Sequence, residues 1–123
     1  MDNIGVSQRY IDYVKNAMRS VAKSGTASSM FANYGIAIGA KTGTAELGGA
    51  GSDNVTFVGF APFDDPKIAV AVVLEHGATS KYSLTVAKDI FDAYFYGKTV
   101  DANGNLVMPE QKAADSASSK AAG

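Results

Sequence analysis

Seven consecutive residues, Ile68-Ala69-Val70-Ala71-Val72-Val73-Leu74, carry no polar side chain, and Lys67 and Glu75 bracket them. An unbroken apolar run of that length reads as a strand covered on both faces, hence one interior to a sheet. Two further strands are expected upstream, over residues 36–45 and 55–61. A glycine-rich connection over 48–54 separates these two. Between the second and third strands, Asp64 and Asp65 lie between Pro62 and Pro66, the composition of a turn and not of a metal site.

Helices flank this meander. Ile11, Val14, Met18 and Val21 recur at spacings of three, four and three, one apolar stripe on a helix over residues 8–24. Ser7 is placed to cap it, and Gly25 to take a left-handed position after it. Residues 26–35 read as a loop or short helical turn that tucks Met30 and Phe31 inward. Leu84, Ala87, Phe91 and Tyr94, with Ile90 and Phe95 beside them, line a second helix that Ser80 or Ser83 can cap and Gly97 can end. The fold class is therefore α+β: a helix, a three-stranded antiparallel meander and a C-terminal helix, with residues 1–100 as the folded part. Residues 101–123 are rich in Ala, Ser, Lys, Asp and Gly and are expected to form a flexible tail.

Composition excludes several functions. The net charge of −1 comes with no basic block, which argues against a nucleic-acid partner. With no cysteine and a single histidine there is no thiolate or His-cluster metal site, and no cofactor is expected. No signal peptide or membrane-length apolar run is visible.

The chemistry concentrates in Lys41-Thr42-Gly43-Thr44-Ala45-Glu46. Chance yields roughly 0.05 Lys-Thr-Gly triplets in such a chain, so the motif carries weight. A strand of this sequence can pair its backbone with an extended peptide. Gly43 permits close approach, Lys41 brings a cation, and the hydroxyls of Thr42 and Thr44 can donate to a carboxylate. Together with Phe57-Val58-Gly59-Phe60-Ala61-Pro62 and residues 67–75, the motif resembles the C-terminal part of the transpeptidase domain of class B penicillin-binding proteins, over about residues 7–97.

The resemblance implies the last three strands of a five-stranded sheet in the penicillin-binding/β-lactamase-like fold. It implies serine acyl transfer on D-Ala-D-Ala stem peptides of peptidoglycan, at the extracytoplasmic face of the bacterial membrane, with β-lactams as ligands. Catalytic roles fall on Lys41 and Thr44, the latter through an oxyanion-hole amide. Substrate binding falls on Lys41, Thr42, Gly43 and Thr44. The family's nucleophile and second motif lie upstream of Lys-Thr-Gly, so the chain is expected to be a fragment that needs the N-terminal part of the domain as a partner and is inactive alone. The alternative is a β-lactam sensor or a non-catalytic interaction module on the same fold.

Ser20-Val21-Ala22-Lys23 and Ser52-Asp53-Asn54 match the letters of the family's other two motifs. Chance alone supplies roughly 0.8 and about 0.5 such matches. Ser20 falls late in a helix, and Ser52 follows Lys-Thr-Gly instead of preceding it, so both are expected to be surface residues. His76 is expected to be a solvated turn residue, Glu46 to lie in the following loop or in solvent, and the aromatic residues Phe57, Phe60, Phe63, Phe91, Tyr94 and Phe95 to be core. The strand over 67–75 should present an open apolar edge, inviting self-association.

Overall fold

The computed structural model describes residues 4–49 and 51–109. Helix α1 (Gln8–Ser24) leads through a short helix α2 (Ser28–Phe31) into strands β1 (Gly39–Ala45), β2 (Asn54–Ala61) and β3 (Ile68–Leu74). Helix α3 (Ser80–Tyr96) and a two-stranded hairpin, β4 (Thr99–Val100) and β5 (Leu106–Val107), follow. The chain divides into two compact units, residues 1–87 and 88–123.

In the first unit the sheet order is β1-β2-β3, antiparallel throughout. Among the described residues β2 is the central strand and β3 is at the edge, the open edge expected for residues 67–75, although its apolar run suggested cover on both faces. The cover of β3 is one-sided. Val70 and Val72 are buried, whereas Ala69, Ala71 and Val73 are exposed. The alternation follows from the pleat, because only one face of β3 has a buried neighbourhood among the described residues.

Register sets that buried face. Thr42, Phe57 and Val72 stand opposite one another, as do Ala40, Gly59 and Val70. Phe31 joins them, with its ring centroid 5.8 Å from that of Phe57, so α2 delivers one aromatic side chain to the core. Ile38 precedes β1 and is buried, but the strand begins only at Gly39, three residues later than the sequence suggested.

Helix α1 packs along β1. Its expected stripe is only partly used. Ile11, Met18 and Val21 are half-buried, Val14 is 55% exposed, and the buried residue is Ala22. Ser7 caps through its backbone carbonyl, which accepts from Tyr10 and Ile11, with no side-chain bond. Gly25 is extended, not left-handed. A Cβ there would come within 2.8 Å of Val21 Cα, so close approach requires the glycine.

In α3, Leu84, Ala87 and Phe91 are buried as expected, but Tyr94 is 55% exposed. Gly97 takes the left-handed conformation after the helix. The second unit holds an ion cluster. Lys88 pairs with the buried Asp92 at 2.6 Å, and Lys98 contacts Asp89 and Asp92. The Lys98 ammonium is held above its ordinary range, first by its bond to Asp89.

The flexible tail was expected from residue 101, yet the chain turns there. The Asp101 carboxylate accepts from the amides of Asn103 and Asn105 at 2.9 and 2.8 Å, and from Asn105 Nδ2 at 3.1 Å. This aspartate turn joins β4 to β5 without needing a core. The rest of the expected tail, from residue 110, lies outside the described residues.

Candidate functional site

The Lys-Thr-Gly segment is the middle of β1, seated by pairing with β2 along its full length. Lys41 stands opposite Val58, Thr42 opposite Phe57, Gly43 opposite Thr56 and Thr44 opposite Val55. Only one edge of β1 is used, because the strand ends the sheet order among the described residues. The other edge leaves backbone donors and acceptors for an added strand.

Alternation separates the side chains. Lys41 is exposed and its ammonium donates to the Thr42 carbonyl, its own strand's backbone. Thr42 is only 8% exposed, and its hydroxyl lies 2.6 Å from that of Thr26 on the turn after α1. Thr44 is exposed and Gly43 half-buried. A Cβ at position 43 would collide with the Thr56 hydroxyl oxygen, so packing against β2 is one reason for that glycine. Glu46 lies beyond the strand and is exposed.

The face of the sheet that carries Lys41 is apolar and open. One groove of about 470 Å³ is lined by Tyr13, Val14, Ala17, Met18, Val21, Lys41 and Val58. A neighbouring groove of about 320 Å³ runs from Met18 and Val58 over Phe60 to Ala69 and Ala71. Lys15 lies over the Phe60 and Phe63 rings, 5.8 and 5.4 Å from their centroids, a cation–π contact at the margin of this face.

The two look-alike motifs sit where the sequence put them. Ser20 is exposed on α1 and its hydroxyl donates to the Asn16 carbonyl at 3.2 Å. Ser52 is an exposed loop residue. No group of three or more potential metal ligands occurs among the described residues.

Two residues escaped the sequence reading. Thr26 touches the motif yet looked like an ordinary loop position. His76 was expected to be merely solvated. It is exposed, but its amide donates to Asn54 Oδ1 at 2.9 Å and its Nδ1 lies 3.0 Å from the Ser52 carbonyl. His76 therefore clips the end of β3 to the connection leaving β1. Its positive φ, shared with Ala78, was the one hint a turn could offer, and no sequence pattern announces it.

Comparison with known proteins shows the family and the fold. The family model for the penicillin binding protein transpeptidase domain matches residues 1–96. The chain belongs to that family. Penicillin-binding protein 2A of Bacillus subtilis is 32% identical over 109 residues, covering 77% of this chain and 15% of the relative. Peptidoglycan D,D-transpeptidase MrdA of Escherichia coli K12 is 31% identical over 104 residues, covering 72% and 16%. The crystal structure of Pseudomonas aeruginosa PBP2 superposes with a TM-score of 0.66 at 32% identity, over 87% of this chain and 23% of that one. Penicillin-binding protein 2B of Streptococcus pneumoniae gives 0.67 at 30% identity, over 76% and 17%. The chain thus spans about a sixth of the length of these curated relatives, and the meander with its helices is part of the transpeptidase fold.

Proposed function

We propose that β1 is the substrate-binding strand of a serine D,D-transpeptidase that cross-links peptidoglycan, and that β-lactams occupy the same place. The observation that carries this reading is the position of Lys41-Thr42-Gly43-Thr44 on a strand with one edge paired and, among the described residues, the other open. A stem peptide ending in D-Ala-D-Ala would add to that edge as an extended strand. Lys41 would supply a cation at the terminal carboxylate, and the Thr42 and Thr44 hydroxyls would donate to it. The Thr44 amide would be one of two oxyanion-hole donors, stabilising negative charge on the attacked carbonyl oxygen.

The serine that attacks and the second motif would come from an upstream part of the domain, docked on this segment. The working location would be the extracytoplasmic face of the bacterial membrane. Among the described residues no helix is long and apolar enough to cross a membrane. Intact-mass spectrometry tests the reading. The complete protein incubated with benzylpenicillin should gain one penicilloyl group, while residues 1–123 alone should gain none. An adduct on Ser20 of the isolated chain would refute the assignment of roles.

A further inference from the structure

We propose that Thr26 is a positioning residue for Thr42: its hydroxyl donates to Thr42 Oγ1 and so directs the Thr42 proton toward a ligand carboxylate at the open edge of β1. The inference rests on the substrate-strand reading above.

The two hydroxyl oxygens are 2.6 Å apart, the distance of a well-formed O–H···O bond, across 16 residues of sequence. Either could donate. A threonine hydroxyl has one proton and two lone pairs. If Thr42 spends its proton on Thr26, none remains for a ligand. If Thr26 donates, Thr42 keeps its proton and becomes a stronger donor, because accepting one bond polarises the hydroxyl for the next. Only the second arrangement is compatible with Thr42 binding a carboxylate.

Thr26 is exposed, but the turn that carries it is hydrogen-bonded on both sides. The Gly25 amide donates to the Ser20 and Val21 carbonyls, each at 3.1 Å, and the Ala27 amide donates to Val21 at 3.2 Å. Ser28 closes back on the Gly25 carbonyl at 3.0 Å, and the Ala27 side chain is fully buried. Residue 26 is thus fixed between two anchored neighbours. Thr42 is equally constrained by its burial, so its proton direction is the freedom left for Thr26 to set.

The test measures second-order acylation of the complete protein by benzylpenicillin and by its methyl ester, which lacks the carboxylate. Thr26→Val should slow acylation by the acid roughly three- to tenfold, the loss expected for one hydrogen bond. Thr26→Ser should restore it, and the ester rate should be indifferent to Thr26→Val. The double variant Thr26→Val/Thr42→Val should be no slower than Thr42→Val alone. Unchanged acylation by the acid in Thr26→Val overturns the proposal. So does equal slowing of acid and ester, which would mark a merely structural role, or additive losses in the double variant. An unsubstituted protein that is never acylated removes the substrate-strand reading and this proposal together. Normal acylation of both the unsubstituted protein and Thr26→Val removes the proposal alone.

Discussion

Lys41 and Thr42 are neighbours in sequence but meet different surroundings, because a strand sends successive side chains to opposite faces. Lys41 is exposed, so Lys41→Ala should leave folding intact while slowing acylation of the complete protein about 10- to 100-fold, the range for losing a charge-assisted bond. Thr42→Val should act in the same direction with a smaller effect. Stopped-flow acylation with a thermal melt of each variant checks both. Gly43 makes a different prediction. A Cβ there meets the Thr56 hydroxyl, so Gly43→Ala should destabilise the protein by about 1–3 kcal/mol through overpacking. Thr56→Ala in that background removes the colliding atom and should recover part of the loss in denaturant titrations. No recovery would mean that the loss does not come from the contact with Thr56. At this scale the motif was legible because its letters are rare. Thr26 was not, since a threonine in a turn has no distinctive spacing and only the fold brings it to Thr42.

Among the elements, the hairpin after α3 shows how local chemistry can order a segment of low hydrophobicity. The bonds from Asn105, first its amide, hold the Asp101 carboxyl below the usual carboxylate range. Its folded pKa is therefore lower than in the unfolded chain. The stabilisation is present above the unfolded value and is lost as pH falls through the depressed folded value. An NMR titration of the Asp101 side-chain carbon should show a midpoint below about 3.9, the ordinary aspartate value. The amides of Asn103 and Asn105 should shift with the same midpoint. A normal midpoint would mean that these bonds are not maintained in solution. The two long helices and the three strands of the meander were legible from pattern, and this hairpin was not. Nor was the cover of the helices: Val14 and Tyr94 lie on the expected stripes yet are exposed, because periodicity reports which residues could be buried and not whether a partner is present.

For the molecule as a whole, the edge of β3 that is unpaired among the described residues, and the face beside it, favour self-association. Val73 is 67% exposed, Val58 46% and Tyr13 77%. Antiparallel pairing of two β3 strands about Ala71 would set Lys67 against Glu75 at both ends and keep Val70 opposite Val72 on one face. Residues 1–123 in isolation are therefore expected to self-associate, and sedimentation velocity over a concentration series should show it. Glu75→Lys would place like charges opposite each other and should shift the equilibrium toward monomer. A monomer at high concentration with fast exchange at alternate amides of residues 68–74 would show an edge that is open but harmless. A monomer with those amides protected would show that the edge is covered.

The sequence by itself determined the two long helices, the antiparallel meander between them, the family and the strand that carries the candidate site, because each rests on local pattern: an apolar period, a run between turns, or a six-residue motif. Tertiary structure alone decided which face of β3 is covered, which face of β1 holds Thr42, that Thr56 requires Gly43, and that Thr26 and His76 anchor the segments around the motif. Those outcomes depend on register and on contacts between residues 13 to 24 positions apart. Such contacts leave no periodic trace, because the energy that selects them arises only once the chain has brought the two surfaces together.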